Sequence, residues 1–229
     1  MRPEPQPWLT ADALVFVDDV DVPRLSDPDA HHLGRVLRLR PGDEVCVTDG
    51  VGHWRMCKFV APNGIEATES HGDSPELGTP LSVGIAIVKG DKPELVVQKL
   101  TELGIDRIVF FHARRSVARW REDKVERNLE RLNRIALSAS CQSRRLTVPS
   151  IEISDVEHLV SMGAAVADFG GRELGAGDDL VLIGPEGGWE PGEYGDAPLI
   201  DLGPSVLRAE TASIAVAARM CALRTSRVD

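Results

Sequence analysis

Leu182-Ile183-Gly184-Pro185-Glu186-Gly187-Gly188-Trp189 carries a fully apolar strand straight into a glycine-rich turn. An apolar run that ends in G-P-E-G-G predicts a backbone-exposed loop at the carboxyl end of a sheet strand, where open α/β sheets bind ligands. Glycines there remove Cβ atoms and let N–H and C=O groups approach a ligand. The loop is not a P-loop, since no Gly-Lys-Ser/Thr follows it, and G-x-G-x-x-G occurs at no strand-to-helix turn. A second junction follows. Leu202-Gly203-Pro204-Ser205-Val206-Leu207-Arg208-Ala209-Glu210-Thr211-Ala212 leaves a short strand through Gly-Pro and enters a helix. Arg208 at a helix N-terminus is electrostatically unfavoured, and a bound anion or a pairing carboxylate such as Glu210 or Glu186 would explain it.

Outward from these loops the chain alternates strands and helices, the grammar of a mainly parallel sheet covered on both faces. Leu81–Val88, Arg107–Phe111, Ala164–Asp168, Leu180–Ile183 and Leu199–Asp201 read as strands. Pro93 opens a helix that carries Leu95, Val96, Leu100 and Leu103 and stops at Gly104. Glu122–Ser140 is a long amphipathic helix with Arg127, Arg131 and Arg134 one turn apart; Asp123–Arg127 and Glu130–Arg134 are expected i,i+4 pairs. Ala209–Leu223 closes the chain as a helix of small residues.

The first 70 or so residues read differently. Ala13–Val17, Asp43–Thr48, Trp54–Val60 and Ile65–Thr68 are short strand candidates, separated by turns such as Pro62-Asn63-Gly64, with a short helix over His31–Arg38. That pattern predicts a small barrel or sandwich. Glu69–Pro80 is polar and rich in Gly, Pro and Ser, and it marks the boundary between a domain over 1–72 and a domain over 80–229.

Composition is that of an ordinary globular chain, 42% apolar and 27% charged. No apolar run approaches the roughly 18 residues of a membrane span, the N-terminus lacks a signal-peptide core, and a cytoplasmic protein is expected. Cys46, Cys57, Cys141 and Cys221 form no C-x-x-C pair, and the six histidines have no ligand spacing, so no metal site is expected. The net charge of −10 argues against a polyanionic partner. Its distribution does not. Residues 80–147 carry 14 basic and 8 acidic side chains, a net of +6, between flanks of −7 and −9. This segment is either a helix with a solvated basic face or an anion-binding surface, and charge alone does not choose.

G-P-E-G-G-W followed by L-G-P-x-x-L-R-x-E-T-A resembles the signature pair of the 16S rRNA (uracil-N3) methyltransferases, the RsmE family of the SPOUT or α/β-knot class. Lys89-Gly90-Asp91-Lys92, Gln98–Gly104, Arg115-Ser116-Val117-Ala118-Arg119-Trp120 and His31–Arg38 match in the same order, so the resemblance spans nearly the whole chain. It implies an N-terminal PUA-like RNA-binding β-barrel and a C-terminal α/β domain with a trefoil knot, working as a homodimer on small-subunit rRNA, within an assembled subunit. It further implies that S-adenosylmethionine lies against Ile183, Gly184, Pro185, Glu186, Gly187, Gly188, Leu202, Gly203, Leu207 and Thr211. Arg145, Arg208 and Glu210 are the implied catalytic residues, and Arg35, Arg38, Arg119 and Gln142 the implied RNA contacts.

Methylation at N3 requires an aligned donor, loss of the imide proton to a base or to nearby positive charge, and an unstacked uridine. Glu210 is a candidate proton acceptor. Two positions depart from the family. Cys141 precedes Gln142 where an acid is common, and it reads as a small buried residue; Ser205 stands where arginine is frequent. The rival readings are a ribose 2′-O-methyltransferase of the same class, a non-catalytic RNA-binding assembly factor, and a nucleotide-dependent enzyme, the last weakened by the missing phosphate-loop lysine.

Overall fold

The structure is a computed structural model that describes residues 6–60, 62, 64–75 and 78–225. Asn63 of the expected turn and Glu76 and Leu77 of the expected boundary lie outside the described residues. The chain divides into two compact units, one of Met1–Glu76 with Ser140–Val148, the other of Leu77–Ala139 with Pro149–Asp229.

The first unit is built on a four-stranded sheet in the order β1 (Ala13–Phe16), β2 (Glu44–Thr48), β3 (His53–Val60), β4 (Gly64–Asp73). β1 pairs with β2 in parallel; the other pairs are antiparallel. Its β-branched and aromatic residues alternate between two apolar clusters, one around Val45, Val47 and Phe59, the other around Trp8, Trp54, Met56 and Leu146. Trp8 comes from a short helix α1 (Pro7–Thr10) that the sequence pattern does not signal. β4 runs on to Asp73, so Glu69–Asp73 is strand and not linker; its solvent face tolerates the polar residues that suggested a boundary. The helix expected over His31–Arg38 is instead α2 (Asp27–His31), capped by Ser26, followed by a π-helical turn over His32–Val36. Leu33, 1% exposed, anchors that turn in the core and leaves Arg35 exposed.

The second unit holds a parallel six-stranded sheet in the order β10-β8-β9-β5-β6-β7. Its strands are β5 (Ser82–Ala86), β6 (Arg107–Phe111), β7 (Ser150–Ser154), β8 (Ala165–Arg172), β9 (Leu180–Ile183) and β10 (Leu199–Ile200). β5 and β9 are buried along their whole length, as central parallel strands covered on both faces must be. Among the described residues this unit carries α3 (Lys92–Leu103), α5 (Val156–Ser161), α6 (Ala209–Thr225) and all but the last three residues of α4 (Glu122–Gln142). Gly104 ends α3 in the left-handed region at φ +99°, where Gly escapes the Cβ penalty. Arg224 of α6 donates to the Gly104 carbonyl at 2.7 Å and pairs with Asp106, fastening α6 to the end of α3.

Neither expected i,i+4 pair of α4 forms among the described residues. Asp123 takes Arg121, Arg134 donates to the backbone carbonyl of Glu130, and Arg131 reaches Glu94 of α3 at 2.8 Å. An exposed i,i+4 pair is worth only about 0.3–0.5 kcal/mol, so a tie to a neighbouring helix competes easily.

Candidate active site

The two glycine-rich junctions lie at the carboxyl edge of the parallel sheet and face a common cavity of about 280 Å³. The first follows β9, whose four residues are buried between β8 and β5. Gly188 closes the turn by donating to Pro185 O at 2.9 Å with φ +71°. The second follows β10. Gly203 has φ +125°, its N–H donates to Asp201 Oδ1 at 2.7 Å, and Arg219 of α6 reaches the Asp201 and Leu202 carbonyls at 3.5 and 3.3 Å. A Cβ at Gly188 or Gly203 would meet no protein atom within 4 Å; both backbones are bare toward open space.

Of the expected cofactor residues, Ile183, Gly184, Pro185, Glu186, Gly188, Leu202, Gly203 and Leu207 line this cavity. Gly187 and Thr211 do not; a Cβ at Gly187 would lie 3.3 Å from Arg115 O, and Thr211 is exposed on α6. The sequence reading missed Ala167, Asp168 and Phe169, which the β8–β9 pairing brings to the cavity, and Asp201, Ala209 and Ala212 around the second loop, whose Ser205 and Val206 line it between the expected Gly203 and Leu207. A parallel neighbour of β9 ends at the same edge, so the strand expected over Ala164–Asp168 was the available signal.

Trp189 also lines the cavity. Its indole stacks on Phe111 with centroids 5.7 Å apart and meets Tyr194 edge-on at 5.5 Å. The Nε1–H is buried without a hydrogen-bond partner among the described residues. An orphaned buried donor costs about 1–3 kcal/mol, a cost that a water or a ligand acceptor in the cavity removes.

Charge in the site is arranged around Lys92, the first residue of α3. Its Nζ lies 2.8 Å from Glu186 Oε1 and 3.3 Å from Glu210 Oε2. The hydrogen bond to Glu186 raises the lysine above its ordinary range, and the same bond holds the Glu186 carboxyl below its own. Arg208 adds a smaller lowering influence on Glu186 but forms no ion pair among the described residues. Both carboxylates expected to pair with Arg208 therefore face Lys92, which donates to Glu186 and meets Glu210 as an ion pair; Glu210 Oε2 is buried without a hydrogen-bond partner among the described residues.

The other expected residues fall elsewhere. Arg119 is exposed in the loop after β6, where it and burial hold His112 below the ordinary imidazole range. Arg145 and Gln142 belong to the first unit, in the segment Ser140–Val148. There Thr48 Oγ1 donates to Leu146 O at 2.8 Å and Arg145 Nε to Thr147 Oγ1 at 3.2 Å, while Gln142 is exposed. Burial pushes the Cys141 thiol up to about 11, which keeps it protonated and unreactive at neutral pH. Arg35 and Arg38 are exposed in the first unit. No cluster of three or more His, Cys, Asp or Glu suited to a metal exists among the described residues, and no helix there is long and apolar enough to cross a membrane.

Residues 75–221 match the RNA methyltransferase domain, and residues 25–68 the RNA methyltransferase PUA domain. The ribosomal RNA small subunit methyltransferase E of Mycobacterium bovis is 32% identical over 86% of this chain and 85% of its own length. The chain belongs to that methyltransferase family. The Bacillus subtilis member is 28% identical over 83% of this chain and 86% of its own. A crystal structure of the Neisseria gonorrhoeae member bound to S-adenosyl methionine aligns over 92% of this chain and 97% of that one, with 27% identity and a TM-score of 0.75. The family resemblance carried by the paired Gly-Pro motifs and the α/β fold with a PUA domain are thus both found.

Proposed function

We propose that this chain transfers a methyl group from S-adenosylmethionine to N3 of a uridine in small-subunit rRNA. The observation that carries the reading is the cavity walled by two bare-backbone loops at the carboxyl edge of the sheet. Open glycine backbone, the orphaned Trp189 Nε1–H and the apolar floor of Leu207, Ala209 and Ala212 suit an adenosine. The acids Asp168 and Asp201 suit the cationic end of the same molecule. When bound, the cofactor supplies an electrophilic methyl on a sulfonium.

The chain's own residues then have three tasks. The loops hold the methyl in line with N3, where positioning contributes several kcal/mol. Arg208, exposed beside the cavity, stabilises the charge that the uracil imide gains as its proton departs. Glu210, on the first turn of α6, is the nearby carboxylate that accepts a proton or orders the group that does. Arg145 is the remaining catalytic residue of this reading, and Arg35, Arg38, Arg119 and Gln142 serve as RNA contacts. The enzyme works as a homodimer with a knotted catalytic domain, on assembled subunits in the cytoplasm.

Mass spectrometry of rRNA nucleosides from cells with and without the protein tests this directly. Loss of 3-methyluridine on deletion is expected. Loss of a 2′-O-methylated nucleoside instead would replace the base with the ribose as target, and no change would refute catalysis.

A further inference from the structure

Glu186 lines the cavity, Glu210 pairs with Lys92 beside it, and of the two cations Lys92 and Arg208 only Lys92 is paired among the described residues. Lys92 spans the start of α3, the Gly184–Gly188 loop and the first turn of α6 through Glu186 and Glu210. Arg208, at the N-terminal end of α6, forms no ion pair among the described residues, although Glu186 lies within its electrostatic reach. A guanidinium there also opposes the helix dipole. Arg208 therefore carries an uncompensated positive charge in a chain of net charge −10. Glu186 and Glu210 are both held by Lys92 instead. Glu186 is 53% exposed on its side chain, so it could turn to Arg208 at little cost were Lys92 absent. Glu210, at 13%, could not be rehydrated so easily and would add to the pull on the remaining cation.

We propose that Lys92 is a positioning residue which, by occupying Glu186 and Glu210, keeps the Arg208 guanidinium free for the RNA. This rests on the reading above that Arg208 faces the target uridine, and adds that its guanidinium meets a neighbouring phosphate of the RNA. Lys92 has no contact with substrate in this scheme; it sets the charge available to Arg208.

The test is the salt dependence of binding to a transcript of small-subunit rRNA, measured for the wild-type chain, Lys92→Met, Arg208→Ala, the double variant, and Lys92→Met with Glu186→Gln. Each cation that meets a phosphate contributes close to one unit to the slope of log K against log salt. Lys92→Met is expected to lower the slope by about one unit, as Arg208→Ala does, and the double variant to lower it no further. Adding Glu186→Gln to Lys92→Met is expected to restore the slope, because the competing carboxylate is gone. Calorimetry with S-adenosylhomocysteine should meanwhile show Lys92→Met within about 3-fold of wild type. Additive loss in the double variant, an unchanged slope in Lys92→Met, or no rescue by Glu186→Gln would each overturn the proposal. Lys92→Arg retains a cation for both acids and should keep the wild-type slope; a loss there equal to that of Lys92→Met also overturns it. Failure of the wild-type chain to bind S-adenosylhomocysteine would instead sink the methyltransferase reading, and the RNA slopes would still decide whether Lys92 guards Arg208.

Discussion

Gly184→Ala adds one methyl group where the Trp189 indole already lies. The new Cβ would sit 2.7 Å from Nε1, 2.8 Å from Cε2 and 3.2 Å from Cδ1 of that ring. Ordinary contact begins at 3.4 Å, so the ring must retreat by about 0.7 Å, the difference between 3.4 and 2.7. It has little room to do so, since one face is stacked on Phe111 and Tyr194 meets it edge-on. The backbone of Gly184 is not in the left-handed region, so the effect is steric and not conformational. Overpacking of this kind costs about 1–3 kcal/mol. With a urea slope of about 2 kcal/mol per molar, a loss of about 2 kcal/mol moves the midpoint down by about 1 M. Displacing the indole also moves its unpaired Nε1–H within the cavity, so S-adenosylhomocysteine affinity should fall in calorimetry. In a Trp189→Leu background the methyl has space, and Gly184→Ala should cost less than about 0.5 kcal/mol there. An unshifted midpoint in the single variant, or equal losses in both backgrounds, would refute the packing argument.

Three further outcomes follow from the same geometry. Gly171→Ala should cripple folding of the second unit, because its Cβ would lie 2.5 Å from both Ile200 N and Leu199 C, and backbone cannot step aside; the soluble yield and circular dichroism of the variant check this. Arg224→Met should destabilise the chain by about 2–3 kcal/mol in urea denaturation, since it strips Asp106 and the Gly104 carbonyl of a cation buried to 7% exposure; the value sits below the fully buried range because the Asp106 side chain is 27% exposed. Burial and then Arg119 depress His112, so below about pH 6.5 the unfolded chain takes up a proton that the folded chain refuses, and stability drops as pH falls through that value. His112→Gln should flatten the fall in melting temperature between pH 7 and pH 5.5, and an unchanged pH profile would show that His112 is not its source.

The elements that could be read from the sequence are those whose burial is decided locally. β6 needs its five residues Arg107–Phe111 and little else, because four of them are fully buried and bracketed by turns. α3 is legible from Pro93, its apolar positions and Gly104. β7 was not, because Ser150-Ile151-Glu152-Ile153-Ser154 is an edge strand with only two apolar residues, too few to mark a period. β10, expected over Leu199–Asp201, forms over Leu199–Ile200 beside β8, where Gly171 permits the close approach. The site divides in the same way. Both glycine loops announce themselves as departures from strand and helix. Lys92 does not, because its partner Glu186 is 94 residues away and only the fold shows that the lysine, not Arg208, holds the acids.

That exchange of partners bears on how an acidic chain can present a surface to RNA. Four glutamates near the cavity are not loose negative charge. Glu190 pairs with Arg115 at 2.6 Å, and Glu193 accepts from the backbone N–H groups of Arg114 and Glu190 at 2.7 and 2.9 Å. Glu186 and Glu210 share Lys92. Each of these carboxylates fastens a loop at the carboxyl edge of the sheet, and each is matched by a cation or by backbone donors within the same unit. A polyanion approaching this edge would therefore meet the charges left over, which include the guanidinium groups of Arg208 and Arg119 as well as the cavity acids Asp168 and Asp201. Net charge sets the long-range repulsion, which salt screens over about 10 Å. The pairing pattern sets the field at contact. An acidic protein can thus offer a cationic contact surface, provided its acids are spent on architecture.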